Sequence, residues 1–320
     1  METAKNIASA LLLNAEKALT ALLQVDSYLY WPYVITTLAI AFIVDRVSFF
    51  DMQLWLSQSS LVDYKLYFSN ALLIPPIYAW VILSEGSVVS SLNLFFSAYL
   101  GQAKLPNFGA PSAWYLRAFF TVCVFIAYDL GRFIGHWLLH NSPVLWELHK
   151  VHHSATSLTP FTSYRVHPFE PILINLVCVV TTGFTVWLFH HSVGTGVSVY
   201  VFFGTHVVLA ALNFVDNLRH SPVWITYGTF LNQWLISPAH HQLHHSLEDR
   251  HLGCNLGSTL AIWDRLNGTL LAPTLQKETF RMAWCLPAGE NPPNDNLWAI
   301  YLGALRSALK HIAPAKQVSA

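Results

Sequence analysis

Long apolar stretches separated by short polar segments dominate the first two thirds of the chain. Five of them approach the roughly 20 residues that a helix needs to cross a bilayer: 28–44, 67–83, 114–134, 171–189 and 196–214. A sixth, 88–100, is shorter and is typical of a re-entrant segment. The uncharged turn "HHSVGT" joins the last two long stretches and predicts a transmembrane hairpin over 171–214. The pattern predicts an all-α, polytopic membrane bundle with about four to five spans.

Outside these stretches, apolar residues recur at helical spacing at both ends of the chain. Near the N-terminus the positions are Ile7, Leu11, Ala15, Leu19 and Leu22. This spacing predicts an amphipathic helix within 1–27 that lies in the membrane interface, although a helix packed on the protein would show the same pattern. Residues 286–320 are predicted to hold a C-terminal tail helix. The whole chain, 1–320, is read as a single membrane-embedded domain.

The composition supports a membrane protein. Hydrophobic residues make up 54% of the 320 residues and charged residues only 11%, against about a quarter charged in soluble domains. The 17 basic and 17 acidic residues cancel, so no overall field would attract nucleic acid.

All 16 histidines lie from residue 136 onward, and eight of them form three clusters. The clusters are "HWLLH" (136–140), "HKVHHS" (149–154) and "HQLHHS" (241–246). Histidines at i, i+3 and i+4 share one face of a helix, and imidazole is a good ligand for transition metals. Because one ion seldom binds more than four histidines, the eight residues predict two metal ions: His136, His140, His149, His152, His153, His241, His244 and His245.

The predicted topology brings the three clusters to one membrane face. The first cluster ends the third apolar stretch, the second follows at once, and the hairpin returns the chain to the same side before the third. His190 and His191 fall in the turn on the opposite side and are expected to be interfacial, and His311 is expected at the surface. If the clusters were only structural, each buried imidazole would need its own polar partner, which disfavours that alternative.

Charge asymmetry predicts that a histidine-rich helical cap faces the cytoplasm. The segments on the histidine side carry several basic residues, whereas the turn at 190–195 has no charged residue, in line with the excess of positive charge in cytoplasmic loops. These residues are Lys150, Arg165, Arg219, Arg250, Arg265, Lys277 and Arg281.

The pattern around the histidines narrows the chemistry. The chain has no HExxH motif, no glutamate inside a cluster and no Glu-x-x-His pair that includes a clustered histidine, as ferritin-like di-iron bundles would have. A nitrogen-rich, carboxylate-poor site suits a redox-active pair of irons that activates dioxygen to attack an unactivated C–H bond. Two alternatives stay open: a zinc-dependent membrane hydrolase, and a non-catalytic metal buffer or sensor.

The run "DLGRFIGHWLLHNSPVLWELHKVHHSATSLTPFTSYRVHPFE", followed by "LRHS", "SPAHHQLHHS" and "CNLGSTLAIWDRLNGT", resembles the fatty acid hydroxylase and sterol desaturase superfamily. That superfamily consists of integral-membrane di-iron oxygenases, and the similarity extends from about 129 to 269. The resemblance implies that the eight clustered histidines bind two iron ions, with His220 of "LRHS" as a ninth ligand. Zinc can replace iron in preparations.

Several residues beside these motifs are candidates for supporting roles. His240, His167 and His251 are candidates for an extra ligand or for a contact to the ligands, and Asp216 would share a helical face with His220. Glu147, Glu170 and Asp264 could orient ligand imidazoles through the second ring nitrogen, although ordinary ion pairs with neighbours are the simpler alternative.

The chain departs from the family pattern at Trp137, Leu256 and Asn267, all beside the expected ligands. These departures bear on the substrate and on the surroundings of the metal rather than on metal binding.

The resemblance also implies a lipid or sterol substrate and dioxygen. Because the chain lacks a GxGxxG fingerprint, a flavin signature and a CxxCH haem motif, electrons are expected from a ferredoxin, a rubredoxin or a cytochrome b5-type donor. Hydroxylation and desaturation are not separated, and neither are sterol, fatty acyl, ornithine lipid, ether lipid and carotenoid substrates.

Overall fold

A computed structural model of the chain describes residues 12–13, 16–17, 19–24, 27, 29–45, 51–81, 84–99, 113–194, 196–202, 205–206, 217–284 and 296–312. The helices are α1 (Trp31–Val44), α2 (Gln58–Val81), α3 (Glu85–Tyr99), α4 (Trp114–Asn141), α5 (Pro143–His153), α6 (Phe169–Ser192), α7 (Pro238–His244), α8 (Ile262–Asn267) and α9 (Leu297–Ile312). Shorter helical turns are Ala21–Leu23, Met52–Trp55, Pro160–Tyr164, Gly228–Leu231 and Asp249–His251. Apart from one two-residue strand pair, the regular structure of the described residues is helical, as predicted.

Two of the described helices, α4 and α6, are long and apolar enough to cross a membrane by length and composition. Helix α1 and the apolar part of α3 are shorter. Helix α2 begins at Gln58, well before the apolar stretch that predicted it, and its first turns are polar. The predicted total of about four to five spans therefore stays a prediction.

The helix predicted over 196–214 is wrong for the residues described there. The chain is extended after α6, and β1 (Val201–Phe202) pairs antiparallel with β2 (Thr205–His206). The Tyr200 amide donates to Thr121 Oγ1 at 3.0 Å, so this segment lies along the start of α4. Alternating β-branched residues and flanking glycines disfavour a helix here. Residues 207–216 lie outside the described part of the chain.

A sharp bend separates the first two histidine clusters. Helix α4 ends at Asn141, and Ser142 caps the start of α5 by accepting from the Leu145 amide at 3.5 Å. Pro143 follows as the first residue of α5, where its missing amide hydrogen costs nothing. The chain therefore turns between the two clusters, and both can face the same space.

Helices α4 and α6 pack closely because α4 carries two glycines one turn apart. A methyl group at Gly131 would lie 2.7 Å from the Cα atom of Cys178, and one at Gly135 would lie 3.1 Å from the Cα atom of Ile174. Small residues at this spacing let two helix backbones approach, as in membrane helix pairs. The close approach holds the histidine-bearing end of α4 against the start of α6.

The predicted tail helix is present as α9, and it packs on α5 and α2. The three helices share one buried apolar cluster: Val62, Leu66, Leu148, Val151, Ile300, Tyr301, Ala304 and Ala308. Tyr301 also donates its hydroxyl to Asn70 Oδ1 of α2 at 2.9 Å. The back of the histidine helix α5 is thereby anchored to two other helices.

A fully buried arginine fixes the C-terminal end of α5. The Arg165 Nη1 atom lies 2.8 Å from Asp63 Oδ1, and both side chains are 0% exposed. Its Nε donates to the Val151 carbonyl at 3.1 Å, and its Nη2 donates to Ser154 Oγ at 2.9 Å. Thr162 Oγ1 donates to the second carboxylate oxygen of Asp63 at 2.8 Å. One guanidinium therefore joins α2, α5 and the turn before α6, and it neutralises the buried carboxylate.

Two buried aspartates hold the loop at 255–261. Asp129, in the middle of α4, accepts from the amides of Thr259 and Leu260, each at 3.0 Å, and from Trp263 Nε1 at 2.9 Å. Asp264, at the start of α8, accepts at 2.7 Å from the Leu256 amide. These bonds satisfy carboxylates that would be costly to bury alone, and they tie the loop to α4.

The region predicted as a helical cap consists mainly of loops within its described residues, 217–284. Its helices α7 and α8 span seven and six residues. The predicted amphipathic N-terminal helix falls mostly outside the described residues. The leucines of this segment that are described are all exposed by half or more: Leu12, Leu13, Leu19, Leu22 and Leu23.

We expect Arg165→Met to lower the free energy of unfolding of the detergent-solubilised protein by about 3–5 kcal/mol, because it leaves the Asp63 carboxylate buried without its cation. The exposed pair of Arg250 with Glu278 is the matched control, and Arg250→Met should cost less than about 1 kcal/mol. The double variant Asp63→Leu/Arg165→Met should be more stable than Arg165→Met alone. Equal losses for the buried and exposed variants would contradict this role.

Gly257→Ala is expected to destabilise the protein by about 1–3 kcal/mol through steric strain, because the added methyl group would lie 2.7 Å from Asp264 Oδ2. In contrast, Gly303→Ala in α9 meets nothing within 4 Å and should stabilise by about 0.5–1 kcal/mol. Thermal unfolding midpoints, measured side by side with the wild type, should fall for Gly257→Ala and rise for Gly303→Ala.

Candidate metal centre

Nine of the predicted site residues come together in two clusters. Within each cluster, one possible ligand atom from every residue lies within 4.8 Å of those from the others. The five-histidine cluster consists of His136, His140, His149, His153 and His244. The four-histidine cluster consists of His152, His220, His241 and His245. All three histidine motifs contribute, and His220 joins from the segment before α7.

In the four-histidine cluster, the Nε2 atoms point at one another. His220 Nε2 lies 2.9 Å from His241 Nε2 and 3.3 Å from His152 Nε2, and His241 Nε2 lies 3.1 Å from His245 Nε2. A neutral imidazole has one N–H and one lone pair, so four converging nitrogens cannot all be satisfied by one another. Nitrogens that share an ion at about 2.1 Å lie about 3 Å apart, and these spacings fit such an ion.

In the five-histidine cluster, one outer hydrogen bond fixes where a lone pair points. His136 Nδ1 donates to the Leu256 carbonyl at 2.7 Å, so the lone pair of this ring is on Nε2. That nitrogen lies 3.1 Å from His149 Nε2. On the other side of its ring, His149 Nδ1 lies 3.0 Å from Glu170 Oε2, although the two atoms do not form a hydrogen bond. The distance between the two Nε2 atoms fits two ligands of one ion.

Further ring nitrogens of the two clusters are buried without a hydrogen-bond partner. They are His140 Nε2, His152 Nδ1, His153 Nδ1 and Nε2, His241 Nδ1, His244 Nε2 and His245 Nδ1. Buried polar atoms normally have a partner. His244 illustrates the arrangement, since its Nδ1 donates to the Cys254 carbonyl at 2.8 Å and leaves Nε2 as an inward-facing acceptor. The donor set fits metal ions in both clusters.

The clustered histidines outside α4 are held in the form that binds metals. Burial lowers the pKa of His152 to about 3 and the pKa of His244 to about 4. Burial also lowers the pKa of His241 well below its ordinary value. These imidazoles are therefore neutral at neutral pH and retain a lone pair, as metal ligation requires.

The two clusters are direct neighbours. His152 and His153 are consecutive residues of α5 that point into different clusters, and His244 and His245 do the same at the end of α7. The rings of His153 and His245 stack across the boundary with their centroids 4.5 Å apart. Two metal ions held here would lie side by side in one centre.

Of the carboxylates considered from the sequence, Glu170 contacts a clustered histidine directly. Asp264 acts through the backbone, because it holds the Leu256 amide while the Leu256 carbonyl receives His136. The expectation for Glu147 is wrong: it pairs with Lys150 and lies 3.5 Å from the exposed His311. Glu147 lies on the side of α5 that faces α9. It therefore forms an ordinary ion pair with Lys150 and does not orient a clustered imidazole.

The three additional histidines are buried but lie outside both clusters. His240 Nδ1 accepts from the Ser237 amide at 3.0 Å and caps α7. His167 Nε2 donates to the Tyr301 carbonyl at 3.3 Å, and His251 Nδ1 bonds Ser246 Oγ at 2.8 Å. None of the three is placed to be an extra ligand.

Three other residues singled out in the sequence are Asp216, His190 and His191. Asp216 lies outside the described residues. His190 and His191 end α6, 20 and 21 residues after Glu170, so they lie about 30 Å from the centre along the helix.

Two cavities reach the histidines from different sides. The helix-side cavity, of about 360 Å³, is lined from α2, α4 and α6 by Ile74, Tyr128, Arg132, Ile174 and Asn175, among others. It touches His136, His149, His152, His220 and His241 and so reaches both clusters. The loop-side cavity, of about 250 Å³, is lined by His140, Trp146, His153, His244, Leu256, Asn267 and Trp284, among others. Two of the departures from the family pattern, Leu256 and Asn267, therefore line the second cavity.

Sequence reasoning missed several residues that position the centre. Ser163 Oγ bonds His220 Nδ1 at 2.8 Å. Arg165 and Asp63 clamp α5, and Asp129 holds the loop that carries Leu256. For Asp129 a signal existed, since it is an acidic residue inside an apolar stretch and begins the family-like run. For the others, the partners are far apart in sequence and no local pattern marks them.

Comparison with known proteins gives a consistent picture. Residues 121–269 match the fatty acid hydroxylase family. Cholesterol 25-hydroxylase of Rattus norvegicus is 28% identical over 190 residues, 59% of this chain and 58% of the relative. Ornithine lipid hydroxylase OlsE of Rhizobium tropici is 27% identical over 53% of this chain and 46% of the relative. Delta(7)-sterol 5(6)-desaturase erg3B of Aspergillus fumigatus is 26% identical over 56% of this chain and 48% of the relative.

The chain thus spans about half the length of these curated relatives. No solved structure matches it. The matched segment contains all nine clustered histidines, the two aspartates that hold the loop at 255–261, and most of both cavities. Residues 121–269 of this chain therefore form a fatty acid hydroxylase domain, as the family match shows.

Proposed function

We propose that this protein is an integral-membrane oxygenase that hydroxylates or desaturates a lipid or sterol at an unactivated C–H bond. It would use dioxygen, two iron ions held by the nine clustered histidines, and electrons from a carrier protein. One observation carries this proposal: two adjacent histidine clusters, with lone pairs turned inward, line the end of a cavity formed by long apolar helices.

The nine histidines would hold the metal, five around one ion and four around the other. When bound, iron ions supply dioxygen activation, which side chains alone do not provide. Residues of the chain orient the imidazoles: the Leu256 carbonyl fixes His136 and Ser163 fixes His220, while the Glu170 carboxyl lies 3.0 Å from His149 Nδ1. Such outer contacts set ring orientation and ligand basicity in metal sites.

The helix-side cavity is the proposed substrate site. Its walls come from three long helices, and its inner end touches histidines of both clusters. An amphiphile that enters between the helices would place a carbon beside the centre while its apolar part stays among apolar side chains. The relatives act on sterols and ornithine lipids by their names, which supports an amphiphilic lipid as the substrate class.

The helix lengths support a membrane-spanning arrangement with the centre just outside the bilayer. Helix α4 has 28 residues and is about 42 Å long, against about 30 Å of hydrocarbon. Its first part exposes Trp114, Tyr115, Phe119 and Val122 by half or more, as a lipid-facing surface would. Its last two turns, with His136 and His140, then stand at one membrane face.

The charge distribution supports a multi-pass protein with this face in the cytoplasm. At the opposite ends of α4 and α6, the described residues carry one basic side chain, Arg117, which binds the Ser198 carbonyl and stacks on Tyr200. The basic residues of the loop segments lie on the histidine side, among them Lys150, Arg250 and Arg281. This asymmetry follows the positive-inside tendency.

His153→Ala and His244→Ala are each expected to lower the bound iron and to abolish product formation together, because each removes an imidazole from the five-histidine cluster. We expect each variant to lose about one ion per chain, or to bind metal more than about 100-fold more weakly. His311→Ala is the matched control, since His311 is exposed and lies outside both clusters. Full iron content and activity in either cluster variant would refute the ligand assignment.

Metal analysis of anaerobically purified protein, followed by dioxygen uptake with a reduced donor, tests the proposed function. About two irons per chain with dioxygen consumption supports it. Zinc with hydrolysis in the absence of dioxygen would support the hydrolase alternative, and metal binding without any turnover would support a buffer or sensor. Zinc found in an aerobic preparation does not distinguish the oxygenase from the hydrolase, because zinc outcompetes ferrous iron at nitrogen ligands.

The arrangement of carboxylates favours the oxygenase over the hydrolase. Zinc hydrolases use a carboxylate as a general base on a metal-bound water. Among the described residues, Glu170 is the carboxylate in contact with a clustered histidine, and its Oε2 atom faces His149 Nδ1 rather than the space between the clusters. Among the described residues, both clusters consist of histidines alone, without a carboxylate.

A further inference from the structure

Two tryptophans stand between the five-histidine cluster and the outside of the protein. The Trp146 ring lies 4.9 Å from His140 and 5.3 Å from His153, measured between ring centroids. The Trp284 ring meets Trp146 edge to face, 5.4 Å away with the planes at 90°. Both tryptophans are partly exposed and line the loop-side cavity.

The backbone holds Trp284 in this position at a conformational cost. Its amide donates to the His153 carbonyl at 3.0 Å, so the residue is tied to the end of α5. The preceding residue, Ala283, has a left-handed φ of 80° and is 3% exposed. A non-glycine residue in this conformation is strained, and such strain persists where the surrounding structure enforces it. With Ala283 in this conformation, the Trp284 ring packs on Trp146.

Most of the five-histidine cluster is out of direct reach of a protein donor. His149, His153 and His244 are 1–3% exposed, and the partly exposed His136 and His140 line the cavities. The helix-side cavity lies among α2, α4 and α6, where the proposed lipid enters, so a carrier protein cannot use that route. The loop-side cavity opens on the other side of the centre, among loop residues such as Gly253 and Asn267. A continuous aromatic path from outside to a cluster therefore lies on this second side.

We propose that electrons enter the centre through Trp284 and Trp146, from a one-electron carrier protein at the mouth of the loop-side cavity. This inference rests on the proposed oxygenase function. In each transfer the reduced carrier loses one electron, and the two rings conduct it to the five-histidine cluster without being oxidised or reduced themselves. Two such electrons, with two protons from water, balance the reduction of one oxygen atom of dioxygen to water while the other enters the substrate.

The assignment separates the two cavities by role. Substrate reaches the centre from the helix side, electrons reach it from the loop side, and neither path blocks the other. His140 and His153, which contact Trp146, both belong to the five-histidine cluster. Electrons would therefore arrive first at that cluster and pass to its neighbour across the stacked rings of His153 and His245.

The test measures donor oxidation by the oxidised, iron-loaded protein in the absence of dioxygen. Reduced ferredoxin, rubredoxin and cytochrome b5 are each mixed with the wild type, and the fastest donor is used for the variants. Trp146→Leu and Trp284→Leu should each slow donor oxidation about tenfold or more, which corresponds to about 1.4 kcal/mol. Phenylalanine at either position, which keeps an aromatic ring, should restore most of the rate.

Trp298→Leu is the matched control, because Trp298 is 71% exposed on α9 and lines neither of the two cavities. Iron content is measured first, and rates are compared per bound iron, so that a variant that loses metal does not count as a slow one. Reduction by the methyl viologen radical, which is small enough to enter a cavity, should be nearly unchanged in the variants.

Wild-type rates of donor oxidation in both leucine variants, at equal iron content, would overturn the proposal. It would equally fall if the phenylalanine variants were as slow as the leucine variants, or if the wild type accepted electrons from methyl viologen but from none of the three proteins. Proteins reduced chemically beforehand and then given dioxygen and lipid test the oxygenase function separately. If the wild type forms no product there, the oxygenase function fails, whereas the electron route is still judged by donor oxidation.

Discussion

Nine imidazoles are packed so that their possible ligand nitrogens lie within 4.8 Å of one another in each cluster, and the rest of the structure is arranged to hold them there. Such packing is unfavourable by itself, because several buried ring nitrogens have no partner and have lost the hydrogen bonds they had in water, and because nitrogen atoms that both carry lone pairs repel at close range. Metal ions relieve both problems at once. Until they bind, the scaffold has to hold the histidines in place, which explains how heavily their helices are braced.

The bracing relies on buried charges rather than on apolar packing alone. Arg165 ties the end of α5 to Asp63 in α2. Asp129 ties α4 to the loop at 255–261. Asp264 accepts from the Leu256 amide and so holds the residue whose carbonyl accepts from His136. Each buried charge has several partners, as the cost of burying it requires. These contacts fix ring orientation far more sharply than apolar contacts, which tolerate sliding.

The surroundings of the centre are asymmetric in a way that fits a reaction with unlike partners. Long apolar helices enclose one cavity, and polar loops with two tryptophans enclose the other. A lipid and a water-soluble electron carrier differ in size and polarity and are best received on different sides. The match to the fatty acid hydroxylase family rests on the segment that builds the centre, whereas the choice of substrate would depend on the walls of the helix-side cavity.

By itself the sequence determined the helical class, the membrane-like composition, the resemblance to fatty acid hydroxylases and eight histidines that meet, and the resemblance added His220. These features are local or compositional, since spacing on a helix decides which side chains share a face. Only the tertiary structure decided which histidine belongs to which cluster, because consecutive residues such as His152 and His153 diverge at the end of a helix. It also corrected the helix expected at 196–214 and the role expected of Glu147. It revealed the clamp by Arg165 and the pairing of Trp146 with Trp284, which join residues about 100 or more positions apart. No periodic pattern in the sequence predicts such contacts, because they form only when elements distant in sequence pack together.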